Sequence, residues 1–409
     1  MPLPEAHKRF LRERVPAGRN ARRSLIGTIT LIALAAGGAI VAPAGASDGL
    51  RSWSSSSGRP VATLDRPSIE LRAPDLMTDR TRGSRFIVYG DQRALADGEW
   101  QNLMRRAKIA ARADSSIRFL VDEGDIVQNG RHSDQFWMLR DVLGFGPEIP
   151  YLVAVGNHEV GANGRAQARA NTATFLKYLD PEFSPDRMWY RKDIGAARFF
   201  FLDSNDLVYG DRGDRERDES PPPGSRAERQ LEWLVRELGV GAGPGIATVV
   251  VMHHPILQSS TKELYQARSL WNYVYEGRAL SDILADGGVD LILCGHTHTY
   301  ERFVAERKDG RKMVLVNLSG RPRDAVLGFG AGARRAHDLR GGELEYFGEN
   351  GWKNLDRWRI RQEDPMLESE ANQFGIVTVG GDGSLLLDVR FLDDTTPDGM
   401  RPARTVQIR

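Results

Sequence analysis

The chain has 409 residues, 41% hydrophobic and 27% charged, a composition that is typical of a globular protein and excludes a disordered or fibrous one. Its net charge of +1 is unevenly distributed, because residues 1–46 carry seven Lys or Arg and two Asp or Glu, a net +5 that leaves −4 on the rest. This mildly acidic body gives no support for sequence-nonspecific binding of nucleic acid.

The N-terminal segment is predicted to direct export. A basic region ends at Arg22-Arg23, an apolar run follows from Leu25 to Ala42, and residues 44–46 fit a small-residue cleavage site. The paired arginines resemble a twin-arginine signal. A general secretory signal and an uncleaved anchor remain open, since the apolar run is about long enough to span a bilayer. We therefore expect a periplasmic or extracellular protein, anchored to a membrane only if residues 1–46 stay attached.

Strands and helices are predicted to alternate after a linker. Residues 47–82, rich in Ser, Pro and Arg, are the predicted linker. The alternation beyond it favours a layered α/β fold. The predicted strands cover residues 84–91, 116–125, 149–159, 197–204, 246–255 and 289–298, and the predicted helices cover residues 98–113, 133–144 and 225–238.

The C-terminal part of the chain shows a different pattern. Residues 312–320 and 374–393 are predicted to form strands without a helix between them, which indicates a second, more antiparallel sheet. Between these runs, residues from about 321 to 370 show little periodicity and are predicted to be an irregular insertion. Residues 397–409 are predicted to be a C-terminal tail.

Five of the predicted strands end in polar side chains of a related kind. Because ligands of open α/β sheets bind beyond the carboxyl ends of the strands, we expect these side chains to converge. A single Gly-Asp pair after a strand is most often a turn, so the prediction depends on their joint occurrence. The side chains are Asp91, Asp125, Asn157 with His158, His253 with His254, and His296 with His298.

These side chains suit a metal centre. Carboxylate, amide oxygen and imidazole ligands favour Mn, Fe or Zn, whereas the single cysteine, Cys294, cannot build a thiolate site. The set exceeds what one ion needs. Two ions that share a carboxylate would use it, and such a pair stabilises the attacking and leaving oxygens of a displacement at phosphorus. The sequence therefore predicts two divalent or trivalent ions at the carboxyl ends of the strands.

The order GD…GD…GNHE…HHP…GHTHTYER resembles the calcineurin-like metallophosphoesterases. The block GHTHTYER, together with the absence of a His two residues after Asp91, most resembles the purple acid phosphatase branch. The resemblance covers about residues 85–394 apart from the irregular stretch. It implies a four-layer αββα sandwich, here a domain over residues 83–396, with a dinuclear metal site at one edge.

The resemblance also implies a role for each residue. Asp125 would bridge the two ions. Asp91 and His298 would bind the first ion, and Asn157, His253 and His296 the second. His158 would hydrogen-bond the phosphoryl oxygen or help to protonate the leaving group. His254 is expected to support the ligands without binding an ion.

Two positions depart from the family pattern. Gln128 stands where purple acid phosphatases carry a Tyr ligand, and Arg93 stands where other members of the superfamily carry a His ligand. The first ion is therefore left with three expected ligands where the family usually shows four. We expect no purple Fe(III)–phenolate colour, and weaker binding or a different metal preference at that ion.

Residues next to the ligands are predicted to have structural roles. A structural ion pair that fixes the loop is expected from the segment Tyr300, Glu301 and Arg302. Asp203, at the end of a predicted strand, is expected to cap a helix.

Together these patterns predict an exported metallophosphoesterase that attacks phosphate esters with a metal-bound hydroxide, most simply a phosphomonoesterase acting on a small phosphorylated substrate. A phosphodiesterase acting on a cyclic nucleotide, nucleic acid or envelope polymer remains the alternative, followed by a non-catalytic binding protein of the same fold. Nucleic acid is expected only as a substrate. Catalysis is favoured because His158 and every ligand of the second ion are present. The sequence carries no signal for an oligomeric state.

Overall fold

The computed structural model describes residues 83–93, 99–143, 150–161, 166–209, 221–260, 263–319, 338–364, 373–393 and 400–409. The predicted export signal or anchor and the predicted linker lie outside these residues. No helix among the described residues is long and apolar enough to cross a membrane.

Most of the described strands belong to two large mixed sheets. The strands are β1 (Ser84–Tyr89), β2 (Ile117–Asp122), β3 (Tyr151–Val153), β4 (Tyr190–Ile194), β5 (Ala197–Leu202), β6 (Ala247–Met252), β7 (Val274–Tyr275), β8 (Arg278–Ala279), β9 (Leu291–Cys294), β10 (Tyr300–Arg307), β11 (Lys312–Leu318), β12 (Trp358–Asp364), β13 (Gln373–Val379), β14 (Leu385–Leu392) and β15 (Met400–Gln407). Sheet 1 has the order β15-β14-β13-β1-β2-β3, and sheet 2 has the order β12-β10-β11-β9-β6-β5-β4. Among the described residues, the short strands β7 and β8 pair only with each other.

Helices follow many of these strands. They are α1 (Glu99–Ala113), α2 (Ser133–Leu143), α3 (Asn157–Val160), α4 (Ala166–Leu176), α5 (Ser204–Val208), α6 (Arg226–Gly239), α7 (Leu264–Asn272), α8 (Leu280–Asp286) and α9 (Glu343–Glu349). The run β1-α1-β2-α2-β3 joins parallel strands through helices, as parallel pairing requires. In sheet 2, β5, β6, β9 and β11 are also parallel. Parallel strands present their carboxyl ends at one edge, and this edge of each sheet carries the polar residues singled out in the sequence.

The core has two parts because the strands of sheet 2 are covered on both faces. Phe199 of β5 points between the sheets, where its ring centroid lies 5.3 Å from that of Phe86 and 5.5 Å from that of Phe119, both in sheet 1. Its neighbour Phe200 points the other way, and its ring centroid lies 5.9 Å from that of Trp233 of α6. This alternation with a period of two is that of a strand buried on both sides.

The predicted fold class is therefore confirmed, an αββα arrangement of two sheets and flanking helices. The predicted strand ends extend a few residues too far, because the polar residues after each strand form loops. For example, the strand predicted over residues 149–159 ends at Val153 and is followed by the short helix α3.

The prediction of a separate, more antiparallel sheet from the later strands is wrong. β11 pairs in parallel with β9 in sheet 2, and β13 pairs antiparallel with β1 in sheet 1. Late strands thus complete both sheets. Within the stretch predicted to be irregular, residues 343–349 form α9 and residues 358–364 form β12. The predicted C-terminal tail contains β15, which pairs with β14.

Replacing Phe199 by Ala should lower the free energy of unfolding by about 3–5 kcal/mol, because the ring fills the space between the sheets and its loss leaves a cavity. Urea denaturation of the two proteins measures the difference. The control is Ile109→Ala on α1, where the side chain is 55% exposed, and it should change stability by no more than about 0.5 kcal/mol. Equal losses in both variants would contradict this account of the core.

Candidate metal centre

Loops from both sheets meet at the carboxyl ends of their parallel strands. Asp91 follows β1 and Asp125 follows β2 in sheet 1, while His253 follows β6 in sheet 2. These three side chains offer ligand atoms that all lie within 4.8 Å of one another. His253, His254 and His296 form a second such group. The structure thus brings together residues that are up to about two hundred positions apart in the chain.

The backbone at these positions is left-handed, a conformation that non-glycine residues rarely adopt. The φ angles are 59° at Asp91, 47° at Arg93, 57° at Asp125, 69° at His296 and 58° at His298. Each such residue costs on the order of 1–3 kcal/mol, and such strain clusters at functional sites. Here it turns each side chain back toward the others within two to four residues of the strand end.

Four polar atoms converge at what we call the second-ion position, formed by Asp125, Asn157, His253 and His296. His253 Nε2 lies 3.3 Å from Asp125 Oδ1, 3.0 Å from Asn157 Oδ1 and 3.1 Å from His296 Nδ1. Ligand atoms that surround one ion at about 2.1 Å stand roughly 3.0–3.4 Å apart, so the separations suit a metal ion.

The hydrogen bonds of the two imidazoles show which nitrogens carry lone pairs. His253 Nδ1 lies 3.0 Å from the carbonyl of Glu123, which can only accept, so this nitrogen carries a proton and Nε2 is the nitrogen that can offer a lone pair to a metal ion. His296 Nε2 lies 3.1 Å from Glu263 Oε2 and likewise donates, which leaves the lone pair on Nδ1. With the two oxygens, lone pairs on four atoms face one another. A cation relieves their repulsion, and these residues therefore fit a metal ion.

Hydrogen bonds hold the ligand loops together. Asp91 Oδ2 accepts from the backbone N–H of His296 at 2.7 Å and from the hydroxyl of Ser319 at 2.7 Å. Its other oxygen, Oδ1, has no hydrogen-bond partner among the described residues. Gly295 makes the close approach possible, since a Cβ there would lie 2.6 Å from Asp91 Oδ2.

Glu159 fixes the loops after β2 and β3 and was not assigned a role from the sequence. Its buried carboxylate accepts from the backbone N–H groups of Asp125 at 2.8 Å, Gly156 at 2.7 Å and Val127 at 3.0 Å. The only sequence signal for it is its position in the block GNHE. Ser319 and Glu263 were also missed, because nothing local marks them as neighbours of the ligands.

The pKa values of the four acidic side chains near the ends of β1 and β2 are shifted in opposite directions. Burial alone would raise the pKa of Asp91, but His298 holds that pKa well below its ordinary value. Burial is likewise outweighed at Asp125, mainly by His158 and His253, so its pKa is also low. Burial raises the pKa of Asp122 to about 8, against hydrogen bonds from neighbouring side chains, and raises that of Glu123 well above its ordinary value. These opposite shifts favour negative charge on the two predicted ligands over Asp122 and Glu123.

His158 lies at the rim of the cluster with its side chain 22% exposed. Its backbone N–H donates to Asp125 Oδ1 at 2.9 Å, and its ring Nδ1 donates to the carbonyl of Gln128 at 2.7 Å. The other ring nitrogen, Nε2, lies 3.7 Å from Asp125 Oδ2. Burial lowers the pKa of His158, although the Asp125 carboxylate opposes this shift.

Arg93 lies where the first ion was expected, between Asp125 and His298. Its Nη2 is 3.1 Å from Asp125 Oδ2 and 3.0 Å from His298 Nε2. We call the place surrounded by Asp91, Asp125 and His298 the first-ion position. From the sequence, Arg93 was expected only to replace a ligand of the first ion, and its occupation of this position was not predicted. With the guanidinium in this place, these residues do not fit a further metal ion.

Other predicted residues lie close to the cluster. His254 Nδ1 is 2.8 Å from Ser204 Oγ, and the His254 ring centroid lies 4.5 Å from that of His296. His254 therefore packs against a predicted ligand while it keeps its hydrogen bond to Ser204. The capping prediction for Asp203 is confirmed, since Oδ1 accepts from the backbone N–H of Asn205 at the start of α5.

The predicted ion pair after the last ligands is also present, with a partner from a distant strand. Tyr300 and Arg302, on one face of β10, both donate to Asp364 Oδ2 of β12, at 3.0 Å and 2.7 Å. Glu301 points to the opposite face and accepts from Ser259 and Asn317. The pair therefore joins β10 to β12 at the edge of sheet 2.

Comparisons with known proteins agree with this geometry. The family model described as calcineurin-like phosphoesterase matches residues 84–300, more than half of the chain. An acid phosphatase type 7 of Danio rerio is 25% identical over 244 residues, 53% of this chain and 47% of its own length. Purple acid phosphatase 21 of Arabidopsis thaliana is 25% identical over 227 residues, 53% of this chain and 44% of its own. This chain thus spans about half the length of these curated relatives.

A solved structure shows the same fold. The purple acid phosphatase PPD1 from yellow lupin seeds superposes with a TM-score of 0.52 and 18% identity, over 81% of this chain and 55% of that one. This likeness concerns the fold.

Gly295→Ala should weaken binding of Mn²⁺ by about 10- to 100-fold, because the new methyl group displaces Asp91 or the His296 loop that Asp91 holds. Calorimetric titration measures the affinity, and circular dichroism checks the fold. Gly239→Ala is the matched control, since a Cβ there meets nothing within 4 Å. If both variants bind Mn²⁺ like the wild type, the close approach at Gly295 does not support the site.

Proposed function

Because the chain belongs to the calcineurin-like phosphoesterase family, we propose that it is an exported, metal-dependent phosphatase that hydrolyses phosphate monoesters. The observation that carries the proposal is the convergence of four lone-pair atoms on one point beside His158. Oxygen and nitrogen lone pairs that face one another are typical of a cation site, and the family uses such sites to hydrolyse phosphoric esters.

Two further observations support the finer parts of the proposal. Curated relatives bear the names acid phosphatase and purple acid phosphatase, which supports monoesters as substrates. The basic and apolar pattern of residues 1–46 supports export to the periplasm or the cell exterior.

The chain's own residues hold and orient the reacting groups. A metal ion at the second-ion position would act as a Lewis acid toward water and the phosphoryl group. Asn157 and His253 would bind it, and Glu263 would keep His296 Nδ1 directed at it by accepting the Nε2 proton. Manganese, iron and zinc all suit this combination of oxygen and nitrogen ligands.

His158 is placed to handle a proton. The carbonyl of Gln128 holds the Nδ1 proton, so a second proton would be carried by Nε2, which lies on the side of Asp125. From there it can hydrogen-bond a phosphoryl oxygen or pass to the leaving oxygen. This is general acid catalysis, and it requires the protonated imidazole.

His253→Ala should abolish turnover of p-nitrophenyl phosphate by the Mn²⁺-loaded protein, a loss of about 100-fold or more, because it removes the atom on which the other three converge. The wild type should cleave this monoester faster than bis-p-nitrophenyl phosphate. His132→Ala, at an exposed position, should retain the wild-type rate. Wild-type turnover in His253→Ala would contradict the assigned site, and a preference for the diester would replace the phosphatase by a phosphodiesterase.

His158→Gln should lower turnover far more than metal content, since His158 is not one of the converging ligands. In the wild type, kcat should be full at acid pH and should fall as the pH rises through the pKa of His158, which burial places below its ordinary value of about 6.5. Profiles of kcat between about pH 4 and 8 test this, with metal content measured in parallel. The falling limb should be absent from the variant, and its persistence there would assign the titration to another group.

A further inference from the structure

We propose that Arg93 replaces one of the two metal ions that the family implies, so that this protein holds a single ion and uses the guanidinium as its second fixed cation. The inference rests on the proposed function, because the role of the second cation is to bind the anionic phosphate of the substrate.

The contacts of Arg93 use the ligand atoms of the first-ion position. Nη2 lies 3.1 Å from Asp125 Oδ2 and 3.0 Å from His298 Nε2, and Nε lies 3.3 Å from the same Asp125 oxygen. A guanidinium can only donate, so His298 Nε2 accepts with its lone pair. A metal ion would need that same lone pair and the same carboxylate oxygen. Arg93 and a first ion therefore exclude each other.

The backbone and burial of Arg93 hold it in this place. The residue is 6% exposed, its backbone is left-handed, and its N–H donates to the carbonyl of Asp125 at 2.9 Å. A buried guanidinium remains charged and is stable only beside a compensating carboxylate. Its removal from Asp125 would break this buried ion pair, so an incoming ion would have to overcome this loss.

The remaining polar atoms favour a single ion near His253. Asp91, Asp125 and His253 offer atoms within 4.8 Å of one another, so Asp91 is near the second-ion position. Asp91 Oδ1, which makes no hydrogen bond among the described residues, lies 3.4 Å from His298 Nε2. No ligand of the second-ion position other than Asp125 contacts Arg93 in the described part of the chain.

The charges of this arrangement still suit a phosphate. One divalent ion and Arg93 together carry three positive charges against the two carboxylates of Asp91 and Asp125, so a positive excess remains for the substrate. Arginine is also the side chain whose planar fork best matches phosphate oxygens. Its second amino group, Nη1, takes part in none of the three contacts described and is the donor we assign to the substrate phosphate.

The test counts metal ions and therefore does not depend on turnover. The mature protein, stripped of metal, is dialysed against excess Mn²⁺, and bound manganese is measured by elemental analysis and by electron paramagnetic resonance. We expect one ion per wild-type chain and the six-line spectrum of isolated Mn²⁺. Arg93→His should bind two ions and show a spin-coupled spectrum, because the imidazole adds a ligand where the guanidinium excluded an ion.

Two further variants test whether Arg93 itself determines the number of bound ions and the binding of phosphate. Arg131→His, at an exposed position, is the matched control and should bind one ion. Arg93→Ala should weaken binding of inorganic phosphate to the Mn²⁺-loaded protein by about 10- to 100-fold, the range for a lost hydrogen bond to a charged group. Unchanged phosphate binding would overturn the assigned role toward the substrate.

Two ions in the wild type would overturn the proposal, since Arg93 would then move aside for the first ion. The same number of ions in the wild type and in Arg93→His would overturn it as well, because the count would not depend on Arg93. These outcomes are distinct from failure of the proposed function, which would appear as a protein with bound metal that cleaves no phosphate ester.

Discussion

The centre depends on two buried carboxylates that accept from backbone N–H groups of loops after other strands, one in the opposite sheet and one in the same sheet. Asp91 in sheet 1 accepts from the N–H of His296 in sheet 2, and Asp125 accepts from the N–H of His158. At Asp91 the oxygen that holds the loop is distinct from Oδ1, which has no hydrogen-bond partner among the described residues. Each carboxylate is thus a structural acceptor as well as a candidate ligand. The edge of the sandwich and the site are therefore stabilised by the same bonds.

This dual role of the carboxylates explains how the chain tolerates several strained, left-handed backbone conformations at the site. Residues with φ near 60° are unfavourable one by one, yet they place the ligand atoms at the first turn after each strand. The strands behind them are fixed by a core in which Phe86, Phe119 and Phe199 contact one another across the two sheets. A rigid core and several carboxylate bonds together hold these turns in a conformation that they would not keep alone.

The charges of the site are set by a few side chains within a fold that this chain shares with a solved structure. The likeness to the lupin phosphatase concerns the fold. Within that fold, Arg93 places a permanent positive charge between Asp125 and His298, while burial raises the pKa values of the nearby Asp122 and Glu123. The same arrangement of loops can therefore hold a guanidinium in a place where the family implies a metal ion. A fixed guanidinium also makes the balance of charge less dependent on the supply of metal.

The sequence by itself determined the elements that local pattern controls. Period-two and helical runs located the central strands and helices, and the polar residues at five strand ends predicted which side chains converge, because parallel strands present their carboxyl ends at one edge. Tertiary structure alone decided what local pattern does not encode. It placed β11 beside β9 and β13 beside β1, since strand pairing depends on contacts distant in sequence. It also brought Glu263 to His296 and the Arg93 guanidinium between Asp125 and His298, because the position of a loop side chain is set by the loops it meets and not by its neighbours in the chain.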